Sequence, residues 1–183
     1  MKTPVPTCLQ KGFTLIELLI TCAVLLILFG IGIPGFGSII DSNQQVAAIN
    51  QFSTSLAHAR YYAVTNNRHV ILCPSTDLQT CTGGMDWEYG VISFLDDNRN
   101  RLRDANEEVI AINQAIDRSI DIQTSIGRKK IHYWPSGSAP GSNVTFRFCT
   151  DSSNVKRKAL IISNSGRVRL SENLPDGSEI TCN

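Results

Sequence analysis

The residues whose chemistry stands out are basic and lie near the C-terminus. Arg167 and Arg169 follow Gly166, which lets the chain turn tightly. In a strand the two arginine side chains lie on one face, while Val168 and Leu170 turn to the core. Because arginine carries a planar, charged fork of donors that matches phosphate oxygens, the pattern predicts an anion-binding face, with a charged strand edge that prevents aggregation as the alternative. The same stretch contains Arg128, Lys129, Lys130, Arg147, Lys156, Arg157 and Lys158.

Charge is segregated along the chain, although the formal net charge is only +1. Residues 77–121 contain ten acidic and four basic residues, a balance of −6. Residues 128–169 contain nine basic residues and one acid, a balance of +8. We therefore expect one acidic and one basic face.

Glu17 is the single charged residue in the apolar run from Phe13 to Ile33. A carboxylate within a membrane costs roughly 2.5 to 3.5 kcal/mol, so it needs a partner or a proton. Glu17 is thus a candidate assembly residue, and the alternative is a glutamate that is protonated or snorkels at the membrane edge.

The cysteines predict disulfides rather than a zinc site. Cys8 and Cys22 lie apart from the rest, in or before the apolar run, and no C-x-x-C pair occurs. The even remainder allows three pairings, of which we favour the two local closures and an oxidising compartment. The favoured pairs are Cys73 with Cys81 and Cys149 with Cys182.

Two other kinds of site receive little support. Five residues match a calcium-loop template, but Arg101 replaces its central glycine and arginines crowd the loop, so a solvated turn is favoured. The three histidines have no serine, cysteine or acid at a diagnostic spacing, so we predict no catalytic residue, metal or cofactor. The template residues are Asp96, Asn98, Asn100, Asp104 and Glu107, and the histidines are His58, His69 and His132.

The N-terminal third predicts a membrane anchor. The first twelve residues contain two lysines and no acid, which places them on the cytoplasmic side. Gly12, a small residue suited to cleavage, precedes the apolar run, so removal of a leader over residues 1–12 leaves the anchor attached. The run from Phe13 has 21 residues, about 31 Å of helix, and we predict a transmembrane helix over residues 13–34 with a kink or local melting at Pro34.

An amphipathic helix is predicted next, over residues 35–67, followed by a β-rich head over residues 68–183. Helical spacing puts one apolar stripe on this helix, formed by Val46, Ile49, Phe52, Leu56, Ala59 and Ala63. Asn66 and Asn67 are the expected stop, because asparagine tolerates the left-handed cap geometry. Short β-branched and aromatic runs between turn residues indicate an α+β chain with strands at 69–72, 89–95, 131–134, 144–148, 157–163 and 167–170, and a less regular stretch at 109–124.

The segment KGFTLIELL, residues 11–19, resembles the prepilin signature, with glycine at the cut and glutamate fifth after it. Later segments, VILCPSTDLQTC, WEYGVISFLDDNRN and SNSGRVRL, resemble the FimT/GspH group of minor pilins and pseudopilins. The resemblance implies a pilin fold, in which a long N-terminal helix packs on a small antiparallel β-rich head. It also implies that a prepilin peptidase cuts between Gly12 and Phe13 and N-methylates Phe13, and that Glu17 pairs with the Phe13 amine of a neighbouring subunit.

The sequence G-R-x-R at 166–169 resembles the motif of minor pilins that act in natural transformation. The resemblance implies a minor pilin of a type IV pilus that helps assembly or priming without catalysis and binds DNA non-specifically. Its partners would be other pilin subunits, the inner-membrane assembly machinery, the peptidase and DNA. The predicted DNA contacts are Arg167, Arg169, Lys156, Arg157, Lys158 and Arg147.

The expected location is the bacterial inner membrane, with a single span and the head in the periplasm, and then the pilus fibre at the cell surface. The alternative is a type II secretion pseudopilin with a purely structural role. The aromatic residues near the basic group are expected in the core, so no stacking of unpaired bases is predicted. These aromatics are Tyr133, Trp134, Phe146 and Phe148.

Overall fold

The computed structural model describes residues 12–116, 119–125, 127–152 and 154–182, without the side chains of residues 29–36. Apart from Gly12, the predicted leader lies outside the described residues. Two compact units are present, Met1–Ile39 and Ile40–Asn183. The described elements are α1 (Leu15–Asn66), β1 (Val70–Pro74), β2 (Gly90–Leu95), β3 (Val109–Gln114), β4 (Ile120–Gln123), β5 (Ile131–Tyr133), β6 (Val144–Thr150), β7 (Lys158–Ile162) and β8 (Val168–Ser171).

In the first unit, α1 begins with a capping box. The Thr14 hydroxyl accepts a hydrogen bond from the Glu17 backbone N–H at 3.3 Å, and the Glu17 carboxylate accepts one from the Thr14 N–H at 3.5 Å. Such reciprocal bonds satisfy N–H groups that a helix start leaves without partners. Glu17 therefore has a local role within its own chain, which the sequence analysis missed.

No helix built from the described residues is long and apolar enough to cross a membrane. The predicted span over 13–34 includes residues 29–34, whose side chains lie outside the described residues. The sequence predicts a kink or local melting at Pro34; the helix runs through Pro34 without a break, so local melting is wrong, and the kink stays a prediction. A single proline removes one backbone hydrogen bond, and the bonds of the neighbouring turns keep the segment helical.

In the second unit, α1 buries the predicted stripe with one exception. Ile49, Phe52 and the alanines are buried, whereas Val46 is 39% exposed. The buried face starts instead at Gln45, whose side-chain amide donates to the carbonyl of Phe148 at 3.1 Å. The predicted stop is confirmed, since α1 ends at Asn66 and Asn67 has a positive φ of 52°.

Two antiparallel four-stranded sheets complete the second unit, in the orders β3-β2-β1-β5 and β4-β6-β7-β8. The less regular stretch at 109–124 supplies one edge strand to each sheet, β3 and β4. The main core lies between α1 and one face of each sheet, with Trp87, Tyr133 and Phe146 among its fully buried side chains.

Both favoured disulfides are present. Cys73 of β1 is bonded to Cys81, and Cys149 of β6 is bonded to Cys182. The first closes a short loop beside β1, and the second fastens the C-terminal segment to β6. In a small unit each bridge typically contributes about 2 to 4 kcal/mol of stability.

Candidate nucleic-acid interface

The G-R-x-R sequence begins in the turn between β7 and β8, with Gly166 and Arg167, and continues into β8 with Val168 and Arg169. The Gly166 N–H donates to the Ser163 carbonyl at 2.8 Å, and the Ser163 N–H donates to the Arg167 carbonyl at 3.1 Å. Gly166 has a φ of 76°, and a Cβ at this position would lie 2.0 Å from the carbonyl oxygen of Gly137. Glycine is thus required for its backbone conformation and for the close approach of a second turn.

That second turn follows β5, and hydrogen bonds hold it to α1 and to the turn between β7 and β8. Arg60 of α1 donates from Nε to the Gly137 carbonyl at 2.9 Å and from Nη2 to the Ser165 carbonyl at 3.4 Å. The Ala139 N–H donates to the Asn164 carbonyl at 2.9 Å. The helix and both sheets therefore hold the backbone that carries Arg167.

The strand register assigns a face to each arginine. Arg169 pairs with Ile161, one residue along β7 from the core residue Leu160, so it lies on the face opposite the core. Arg167 directly precedes β8 and its carbonyl accepts the Ser163 N–H, so the alternation of the strand, continued by one residue, gives it the same face. Both side chains are exposed, and neither makes a hydrogen bond or ion pair with any residue that the structure describes. The predicted common face of the two arginines therefore agrees with the register.

The accompanying prediction for the apolar residues of β8 is only half right. Val168 packs against the core, but Leu170 is 54% exposed. Leu170 pairs with the buried Leu160 and so lies on the core face. Because β8 is the edge strand of its sheet, no core residue that the structure describes covers Leu170 on that face.

Arg147 and Arg157 hold the C-terminal segment. Arg147 donates from Nη1 to the Thr181 carbonyl at 3.0 Å, and Arg157 donates to the Ile180 carbonyl at 3.5 Å. Ile180 is buried, and Cys182 is bonded to Cys149. Arg147 and Arg157, both predicted DNA contacts, therefore also stabilise the position of the C-terminal segment.

The two lysines of the predicted set are placed differently from the arginines. Lys156 is exposed and lines an open depression with Arg157 and two acids, Glu172 and Glu179. Lys158 pairs with the core residue Phe148, so it emerges on the opposite face from Arg169. The six predicted DNA contacts therefore do not all share one face, and Arg167 and Arg169 are an exposed pair on the same face.

The aromatic prediction is correct for three residues and wrong for one. Tyr133, Phe146 and Phe148 are fully buried, whereas Trp134 is 42% exposed. Trp134 lies just past the end of β5, where the alternation of the strand puts it on the side away from the main core. Its ring contacts two imidazoles, with centroid distances of 5.4 Å to His69 and 5.9 Å to His132.

The two histidines form a pair that the sequence analysis missed, because 63 residues separate them and strand register alone brings them together. Nδ1 of His69 and Nε2 of His132 are 2.9 Å apart. Burial, followed by the facing His69 and by Arg101, lowers the pKa of His132 to about 4, against the opposing charge of Asp96. Burial also lowers the pKa of His69. The pair is therefore neutral at pH 7.

The calcium-template loop is closed by its own hydrogen bonds. The buried Asp96 carboxylate accepts from the Arg101 N–H at 3.2 Å, and Glu107 accepts from the N–H groups of Asp97 and Asp104, both at 3.0 Å. The Lys130 ammonium donates to the Arg101 carbonyl. Within the described residues, no three His, Cys, Asp or Glu side chains form a group that could hold a metal ion.

Comparison with known proteins gives two family matches. Residues 48–166 match the model of the type II transport protein GspH, and residues 8–33 match the prokaryotic N-terminal methylation motif. The first match covers most of the chain, and the second indicates a membrane-anchored pilin or pseudopilin.

The similar proteins are pilins as well. The chain is 29% identical to the pilin-like protein PilA1 of Thermus thermophilus over 88% of its length and 98% of that protein. It is 33% identical to a fimbrial protein of Moraxella nonliquefaciens over 50% of its length and 58% of that protein. The crystal structure of the type IV minor pilin FimU of Pseudomonas aeruginosa superposes with a TM-score of 0.54 at 19% identity, over 70% of this chain and 89% of FimU, and it shares the pilin fold. This chain belongs to the FimT/GspH group of type IV minor pilins and pseudopilins.

Proposed function

We propose that this pilin takes part in assembly or priming of a type IV pilus and binds DNA without sequence preference through Arg167 and Arg169. The observation that carries the proposal is the pair of exposed guanidinium groups on one face of a fixed turn. Neither group has an acidic partner among the described residues. An arginine whose charge is unpaired and whose backbone is held in place is suited to contact phosphate.

The mature chain in this proposal begins at Phe13, after cleavage by a prepilin peptidase, and its amine is methylated. The head is exported to the periplasm and reaches the cell surface in the fibre. Glu17 and the Phe13 amine of a neighbour set the axial register between subunits. No step of this role needs catalysis or a cofactor.

The expected affinity is weak for a single head. Lys156, Arg167 and Arg169 are exposed, and their side chains bond to no residue that the structure describes, whereas Arg147 and Arg157 each use a donor on the C-terminal segment. Three neutralised phosphates give a slope of log affinity on log salt of about −3 for duplex DNA. A Kd of about 10⁻⁴ to 10⁻⁶ M is expected at physiological salt, and several copies in a fibre raise the effective affinity.

The test measures duplex binding by the full chain in an uncharged detergent, at several salt concentrations. Arg167→Gln with Arg169→Gln should lower the affinity several-fold and flatten the salt slope by about two. A matched control, Arg99→Gln with Arg101→Gln, removes the same charge from the loop beside Asp96 and should change both quantities much less. Equal losses of affinity in the two double variants would mean that binding depends on net charge and not on a site at Arg167 and Arg169. A parent protein that fails to bind DNA at low salt would refute the DNA proposal.

A second candidate is a type II secretion pseudopilin, which the GspH match over residues 48–166 favours. In that role the arginines guard an edge strand against aggregation and contact no nucleic acid. Loss of type II secretion, with normal piliation and DNA uptake, in cells that lack the protein would favour this candidate.

A further inference from the structure

The exposed Trp134, just after β5, and the G-R-x-R sequence are connected by two turns whose backbones are in contact. The Trp134 carbonyl accepts the Gly137 N–H at 2.8 Å, so the ring and Gly137 belong to one tight turn. The Gly137 carbonyl in turn meets Gly166, the residue before Arg167. An accessible aromatic face and an unpaired cation are thus carried by two turns in direct contact.

Two neighbouring imidazoles restrict the position of the indole. The rings of His69 and Trp134 meet at an interplanar angle of 63°, and the ring of His132 lies at 40° to the indole. Trp134 is nevertheless 42% exposed. An aromatic side chain that is held by neighbours and open to solvent is preorganised for stacking, because little side-chain entropy is lost on binding.

We propose that Trp134 is a stacking platform for an unpaired DNA base, so that the basic turn binds single strands and frayed ends more tightly than duplex. The inference rests on the proposed DNA contact of Arg167 and Arg169. In a duplex the flat faces of the bases are covered by their neighbours, and only the phosphates reach the protein. In a single strand one base leaves the stack, covers the indole and brings its flanking phosphates to the guanidinium groups.

The experiment compares three probes on the full chain in an uncharged detergent at one salt concentration. The first is a 20-nucleotide strand of adenine and cytosine, which cannot pair with itself. The second is the duplex of that strand, and the third is a 20-nucleotide strand that is abasic at every position. The abasic strand keeps its phosphates and loses all of its bases, so it separates stacking from charge.

The parent should bind the intact strand at least about fivefold more tightly than the duplex or the abasic strand. Trp134→Ala should lower affinity for the intact strand about fivefold to tenfold, toward the lower end of base–aromatic effects because Trp134 is only partly exposed, and leave duplex affinity within twofold. Trp134→Phe keeps an aromatic face and should retain most of the preference. The intact strand should quench the tryptophan emission of the parent but not of Trp134→Phe, since the other tryptophan, Trp87, is fully buried.

Two results would overturn the inference and leave the proposed function in place. In the first, the parent binds strand and duplex equally and Trp134→Ala changes neither. In the second, Trp134→Ala lowers affinity for all three probes alike, which means that the indole only supports the turn. A parent that binds none of the probes at low salt would remove the DNA proposal together with this inference.

Discussion

Gly166→Ala should destabilise the second unit by about 2 to 4 kcal/mol, a large effect for the addition of one methyl group at a surface turn. A residue with a side chain at a φ of 76° loses about 1 to 2 kcal/mol relative to glycine. The new Cβ would also lie 2.0 Å from the Gly137 carbonyl oxygen, far inside a normal contact, and this nearest neighbour is a backbone atom. The two turns must therefore separate, and the hydrogen bonds of Arg60 to Gly137 and of Ala139 to Asn164 lengthen without breaking, at about 0.5 to 1 kcal/mol each.

The matched control is Gly177→Ala. Gly177 has a φ of 86°, and no atom lies within 4 Å of the Cβ that alanine would add. Gly177→Ala should therefore lose only the stability that a side chain costs at a positive φ, about 1 to 2 kcal/mol. The difference between the two variants therefore isolates the contact between the turns.

Urea unfolding of the full chain in an uncharged detergent, followed by tryptophan emission, measures both variants. With an m-value of about 2 kcal/mol per molar, a difference of 1 to 2 kcal/mol separates their midpoints by about 0.5 to 1 M. Gly166→Ala should also weaken duplex binding, because it displaces the backbone of Arg167, whereas Gly177→Ala should not. Equal midpoints for the two variants would refute the argument that the turns are locked together.

Two further predictions concern protons and assembly. Between pH 6.5 and 4, His132 binds fewer protons in the folded protein than in the unfolded chain. Acid should therefore lower the free energy of unfolding by about 1 to 2 kcal/mol more in the parent than in His132→Gln. Parallel pH profiles of the two proteins would count against the buried histidine pair. Glu17→Ala removes both the charge and the capping interaction with Thr14, whereas Glu17→Gln keeps a capping side chain and loses only the charge. If charge pairing between subunits sets the register, both variants should be absent from purified fibres at normal membrane levels, and normal incorporation of Glu17→Gln would show that the cap is what matters.

Local rules predicted the features that depend on residues close in sequence. Strand alternation put Arg167 and Arg169 on one face, and helical spacing identified Ile49 and Phe52 as core residues. The short closure between Cys73 and Cys81 was predictable because both cysteines border one loop. These features require only the period of the element in which the residues lie.

The errors at Leu170 and Trp134 share one physical cause, which is that burial also depends on what lies across the sheet. Leu170 has the correct alternation, but an outermost strand extends past the cover that would bury it. Trp134 follows β5 and lies on the face away from the main core, where only a small apolar cluster is buried. Its neighbour His69 directly precedes β1 and is far from Trp134 in sequence. Neither the width of the core nor the pairing of β1 with β5 can be read from one segment of sequence.

The commitment of Arg147 and Arg157 to the C-terminal segment does not remove them from the electrostatics of the head. A carbonyl acceptor takes one N–H and leaves the guanidinium charge in place, and neither guanidinium forms an ion pair with a carboxylate of the residues that the structure describes. The two residues therefore raise the local potential while their geometry is fixed by the segment that they hold. Counterion release depends on phosphates brought close to cations, so a measured slope near −3 means that only the uncommitted residues reach the DNA. A slope near −5 would mean that the strand also lies along the C-terminal segment, where Arg147 and Arg157 present their remaining donors.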